Sequence, residues 1–150
     1  MKLAEALQER ADLNRRVQQL QQRLANNAIV QEGEAPAEDP KELLAELDGC
    51  VESLEQLIAQ INLTNCRTTV DGRSLTELLA RRDALKLKLS AYRDLVYNAS
   101  QLGRRATHTE IKLLSTVNVK ELQKQVDQMA KELRLLGNSI QAANWATELI

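Results

Sequence analysis

The chain has 150 residues with twenty basic against twenty-one acidic side chains. It is long enough to bury its own core without a disulfide staple or a structural metal, and it offers no global field to DNA, RNA or an anionic membrane. Aromatic side chains are confined to Trp145, Tyr92 and Tyr97, Phe is absent and His108 is the sole histidine, so stacking platforms for single-stranded bases are excluded and most enzyme chemistry is starved.

The apolar share comes from Leu, Ala, Val and Ile, with abundant Gln, Glu, Lys and Arg and only five Gly and two Pro. That is helix composition. The first segment, about residues 2–25, carries Leu3, Ala6, Leu13, Val17, Leu20 and Leu24 at alternating three- and four-residue spacing, a heptad stripe interrupted by Arg10. Asn26-Asn27 breaks it, and the polar stretch from Gln31 to Glu38 reads as a loop.

A second helix, about residues 39–62, is announced by Asp39 as cap, Pro40 at the first helical position and Glu42 as reciprocal partner. Leu44, Val51 and Ile58 fill one heptad position, Leu47, Leu54 and Ile61 another, and Leu43, Cys50 and Leu57 a third. Three apolar positions per heptad exceed what one partner helix needs, so this helix is expected to touch two neighbours. Ser74 with Glu77 forms the next capping box and opens a helix over about 74–102 that Gly103 closes. Asn118 with Glu121 opens the last, about 118–145, with Leu122, Val126, Met129, Leu133, Leu136, Ile140 and Ala143 along its seam.

Four segments of similar length predict one all-α domain over 1–150, an antiparallel up-down four-helix bundle or coiled coil. The connectors Ala28-Ile29-Val30-Gln31, Arg67-Thr68-Thr69-Val70 and Ile111-Lys112-Leu113-Leu114 are β-prone, and up-down order allows a short ladder between the first and third. The connector from Gly103 to Val117 is long for a bundle loop, a length that points to contact or to structure of its own.

Near neutrality hides a charge dipole. Residues 31–72 hold ten acidic and two basic side chains, and residues 73–105 eight basic and three acidic. The acidic second helix lying beside the basic third is one reading. The other is a basic docking face for an anionic partner, made of Arg73, Arg81, Lys86, Lys88, Arg93, Arg104 and Arg105, which would be electrostatic and unspecific. Arg10 and Arg82 break the apolar seams at similar depth on the first and third helices. They suggest a polar layer with Glu55 and Glu52 as counter-ions and Gly137 leaving room, useful for fixing register; the alternative is that both arginines snorkel to solvent.

Several chemistries lack their ligands. A carboxylate-bridged di-metal site needs two Glu-x-x-His elements, which one histidine cannot supply. Cys50, Cys66 and His108 have no paired zinc spacing; in a domain that needs no staple both thiols read as reduced, with Cys50 as core filling and a disulfide as the lesser alternative. Glu52 and Glu55 resemble half of the Mg²⁺-binding motif of all-helical nucleotide pyrophosphohydrolases, but no second half follows. No phosphate loop, nucleophile elbow or dinucleotide fingerprint occurs, and no cofactor is expected. Glu5 sits where a signal peptide would be apolar and no run of about 18 apolar residues exists, so the chain reads as soluble and cytoplasmic. The sequons at Asn62 and Asn98 then carry no meaning.

As whole phrases, Met1 to Leu13, Val70-Asp71-Gly72-Arg73-Ser74-Leu75-Thr76-Glu77-Leu78-Leu79 and Thr109-Glu110-Ile111-Lys112-Leu113-Leu114 resemble a family of small bacterial proteins of unknown function. Some of its members carry the name septicolysin, which implies a pore-forming cytolysin. The resemblance spans essentially the whole chain and transfers no catalytic residue. Under it, the uncharged stretch from Leu135 to Thr147, with Ile140, Ala143 and Trp145, would be the membrane-active segment. Read from its residues, the protein is a non-enzymatic bundle that self-associates, or binds a partner helix, through leftover apolar positions such as Leu7, Leu79, Leu87 and Leu135. A Mg²⁺-dependent hydrolase using Glu52 and Glu55 is the most distant reading.

Overall fold

In the computed structural model, residues 1–102 and 111–150 are described. The fold is all-α. Helices α1 (Leu3–Asn26), α2 (Pro40–Arg67), α3 (Leu75–Ala99) and α4 (Val119–Ala146) are the helix complement of an up-down four-helix bundle. Strands β1 (Thr69–Val70) and β2 (Arg73–Ser74) form a minor two-stranded sheet. The chain divides into two compact units, residues 1–69 with 143–150, and residues 70–142.

In the first unit α1 and α2 run antiparallel, as two ion pairs show: Arg23 meets Glu38 just before α2, and Arg16 donates to Glu46 about two turns further along, at 2.7 and 3.1 Å. Between them Leu20, Leu43 and Cys50 are buried, with Leu13, Val17, Leu24 and Leu47 packed against them. Cys50 is thus core filling, and it carries no disulfide. The loop after α1 is tied down by Asn27, a buried side chain whose Nδ2 donates to the Arg23 carbonyl at 2.8 Å while its Oδ1 accepts from the Glu38 N–H at 3.0 Å.

Glu5 accepts from the Lys2 N–H at the start of α1, an acidic group at the positive end of the helix dipole. Asp39 caps α2 as expected, but its carboxylate takes the Lys41 N–H rather than forming a reciprocal box with Glu42. Helix α2 also runs five residues past Asn62. The polar run Asn62-Leu63-Thr64-Asn65 suggests an end, yet Thr64 is buried and used. Its hydroxyl donates to the Gln60 carbonyl at 2.8 Å and accepts from the Ile150 N–H at 3.1 Å. The segment after α4 closes this end further: Leu3 N–H donates to the Thr147 carbonyl and Leu149 N–H to the Met1 carbonyl, and Lys2 bridges Glu148 at 2.6 Å.

The β-prone connectors behave differently from expectation. No strand occurs in 28–31 or 111–114, so the ladder anticipated between them is not formed. The second connector instead folds on its own continuation, because Asp71 and Gly72 both take positive φ (50° and 80°) and make a two-residue hairpin turn. That turn type matches strand twist, and closing two residues costs far less chain entropy than joining distant loops.

In the second unit Ser74 and Glu77 form the expected capping box. The Glu77 carboxylate accepts from the Ser74 N–H at 2.7 Å, and the Ser74 hydroxyl accepts from the Glu77 N–H at 3.2 Å. Helix α3 ends at Ala99 rather than Leu102, where the Ser100 N–H and hydroxyl both return to the Val96 carbonyl; Gly103, expected as its cap, lies outside the described residues. Asn118 Oδ1 accepts from the Glu121 N–H at 3.1 Å to open α4. Leu89, Val126 and Met129 are buried between α3 and α4 with Leu85, Tyr92, Val96 and Leu133 against them, and Arg81 pairs with Glu132.

A candidate interaction surface

The three apolar positions of α2 have different fates. Leu43, Cys50 and Leu57 are buried, Leu47 and Leu54 are half-buried, and Leu44, Val51 and Ile58 remain 47%, 47% and 38% exposed. At 100° per residue these three fall in one narrow row. The breadth of the stripe was legible in the sequence, but which row would be left open was not, since periodicity cannot tell which neighbour is present. Alongside the row stand the exposed acids Asp48, Glu52 and Glu55.

Helix α3 carries a second unpartnered face. Opposite its inner row of buried Leu78 and Leu89 and half-buried Leu85, the exposed residues Ala80, Ala84, Leu87, Ala91 and Leu95 share one side, with Leu87 75% exposed. Of the leftover leucines expected to be free, Leu87 and Leu135 are exposed, whereas Leu7 and Leu79 are half-buried.

The basic residues of α3 divide between its two flanks. Arg81 and Lys88, seven apart, lie on the side of α4, where Arg81 pairs with Glu132 and the Lys88 ammonium sits 5.7 Å from the Tyr92 ring centre. Lys86 and Arg93, also seven apart, lie on the other flank and are exposed, as is Arg73 in β2. Arg104 and Arg105 lie outside the described residues, as does His108. The shallow depression lined by Lys88, Tyr92, Glu121, Lys124 and Gln128 mixes both charge signs, so it has no consistent preference for an anion.

For the polar layer, the antiparallel register of α1 on α2 brings Arg10 level with Glu52. Arg10 is half-buried, Glu52 and Glu55 are exposed, and no salt bridge within 4.0 Å joins them among the described residues. Arg82 pairs with its neighbour Asp83 at 3.1 Å. A Cβ added at Gly137 would meet nothing within 4 Å. Among the described residues no group of three or more His, Cys, Asp or Glu side chains is placed to hold a metal ion.

Residues 10–149 match a family of unknown function, DUF6847. The chain belongs to this family. A crystal structure described as a functionally unknown conserved protein from Corynebacterium diphtheriae is similar along the full length, with 41% sequence identity, coverage of 100% of this chain and 99% of that one, and a TM-score of 0.94. No curated protein matches the chain. Neither description attaches an activity or the name septicolysin to DUF6847 proteins, so the candidate site stands on geometry: open apolar rows beside rows of charge.

Proposed function

We propose that this DUF6847 member is a non-enzymatic, cofactor-free helical protein of the cytoplasm that acts by associating with a second copy of itself. The observation that carries this reading is the row Leu44, Val51 and Ile58 on α2, 47%, 47% and 38% exposed, together with Leu87 on α3, 75% exposed. Exposed leucines scattered singly would need no explanation; rows on α2 and α3 do.

The septicolysin resemblance suggests membrane activity instead. Its candidate segment is engaged in part, since Ile140, Ala143 and Asn144 are buried while Leu135 and Trp145 are exposed, and no described helix is long and apolar enough to cross a membrane. Sedimentation equilibrium from about 1 to 100 μM, the range in which a standard interface is populated, tests the proposal. A mass that rises to twice that of the chain is expected; a strictly monomeric mass throughout overturns it.

A further inference from the structure

Resting on that reading, we propose where the second copy docks: the open row of α2 in one chain packs on the flank of α1 in the other, so that two α1–α2 hairpins join side by side. The two flanks of the hairpin differ. One carries Arg16 with Glu46 and Arg23 with Glu38, the ion pairs that set the register of α1 on α2. The open row Leu44, Val51 and Ile58 lies on the other flank, where α1 adds half-buried Leu7 and exposed Ala11, Asn14, Gln18 and Gln21 at alternating four- and three-residue spacing. The ion-pair register sets Leu44 about level with Gln18 and Val51 with Ala11. Each stripe, Leu44 to Ile58 and Leu7 to Gln21, is about 21 Å long at helical rise.

Charge selects α1 as the facing helix. The outer edge of the α2 row carries Lys41, Asp48 and Glu55, with Glu52 behind them, and among the described residues Asp48 and Glu55 take part in no salt bridge. The α1 flank holds no acid: Glu5, Glu9 and Asp12 lie on other sides of that helix, and Arg15, at the flank's outer margin, is paired with Asp12. To the two acids it offers the Gln18 amide and Arg10, which is half-buried and has no salt bridge among the described residues. Packing α2 on α2 does worse. With the rows overlapped antiparallel, Asp48 meets Glu55 twice. The register that sets Lys41 on Glu55 puts Asp48 against its own copy and slides Ile58 past the end of the facing row. Parallel packing brings every acid to its own copy, and like-charge juxtaposition opposes all three. A two-fold axis parallel to the hairpin makes the α2–α1 contact twice, draws on α1 and α2 alone, and closes the assembly at a dimer.

The test sets acid against acid and then relieves it. Ala11→Glu/Gln18→Glu changes only exposed side chains on α1, and Asp48→Lys/Glu55→Lys only exposed side chains on α2, so helical circular dichroism should be unchanged in both. The α1 variant should dimerise about tenfold or more weaker than the parent, because its new acids face Asp48 and Glu55 of the other copy. One chain carrying all four changes should recover near-parental affinity, since each α1 acid then faces lysine on the second copy. Localisation comes from a photo-crosslinker placed at Val51 in a mixture of ¹⁴N and ¹⁵N protein: heavy-to-light cross-links should fall within 7–18. A dimer indifferent to the α1 variant, a four-change chain that stays as weak as that variant, or cross-links from Val51 to α2 or α3 of the other copy overturn the docking while self-association stands. A protein that is monomeric throughout overturns both.

Discussion

The α2 row allows a prediction whose size follows from exposure. Replacing Leu44, Val51 and Ile58 together by alanine removes side chains that are 47%, 47% and 38% exposed in the single chain. Full burial of such a side chain contributes about 1.5–3 kcal/mol, and rather less than half of that area is still open to a partner. Three residues in each of two copies therefore offer roughly 4–8 kcal/mol to association. Much of it is offset by lost translational freedom and side-chain ordering in forming the contact, but those costs are shared by parent and variant. Allowing for the alanine methyl that remains, the variant should lose at least about 3 kcal/mol, a hundredfold or more in Kd. The single chain loses the already buried portion, partly offset because alanine is the better helix former. Sedimentation equilibrium gives the dimer constant and urea denaturation at a fixed low concentration gives the chain's own stability. If the dimer constant moves by less than threefold while chain stability falls, these residues serve the fold alone and association through the α2 row is wrong.

Leu20→Ala is the internal counterpart: Leu20 is fully buried against Leu43 and Cys50, and the variant should lose about 2–5 kcal/mol in denaturant unfolding, whereas Leu87→Ala should lose less than about 0.5. Gly49 lies inside α2 with open space where a Cβ would go, so Gly49→Ala should raise stability by about 0.5–1 kcal/mol; a lower melting temperature would show that the site is closed by a neighbour. Glu38 beside the Arg23 guanidinium, Glu77 accepting from Ser74, and Glu148 beside Lys2 all have carboxyls held below their ordinary range. The unfolded chain then binds protons more readily than the folded one, so their stabilisation is present above the ordinary carboxylate value and is lost as pH falls through the depressed values. Melting temperature should drop as pH is lowered below about 4.5, with a shallower slope in Glu38→Gln, and a parallel slope in that variant would refute the assignment. Micromolar protein should release no dye from anionic vesicles at neutral or acidic pH; release would favour the septicolysin reading.

Helices and caps were largely legible in the sequence because their causes are local. Heptad spacing of Leu and Val, the Pro40 start and the Ser74–Glu77 box act within a few residues, and the structure has each of them. The misplaced ends have non-local causes. Thr64 looks like a helix terminator until Ile150, eighty-six residues away, donates to its hydroxyl. The Asp71-Gly72 turn is local chemistry, yet a β-prone tetrapeptide says only that extension is tolerated, not where its partner lies. The candidate site was half legible. Leu87 and Leu135 could be picked out as surplus, but Leu44, Val51 and Ile58 looked like core because they share a continuous stripe with residues that are core.

Position and charge together give that misreading a physical meaning. A stripe three rows wide on α2 is more than α1 covers, and the uncovered row is the one beside Asp48 and Glu55. The edge beside it carries Lys41, Asp48, Glu55 and Asn62 at seven-residue intervals, so it is acidic over its middle and basic at its start. Surface ion pairs contribute little energy but discriminate strongly between pairings. In this chain the ion pairs between elements, Arg16 with Glu46, Arg23 with Glu38 and Arg81 with Glu132, already set helix register in that way. On the open row of α2 the apolar side chains supply the free energy of association, and the charges that flank them discriminate among the surfaces they can meet.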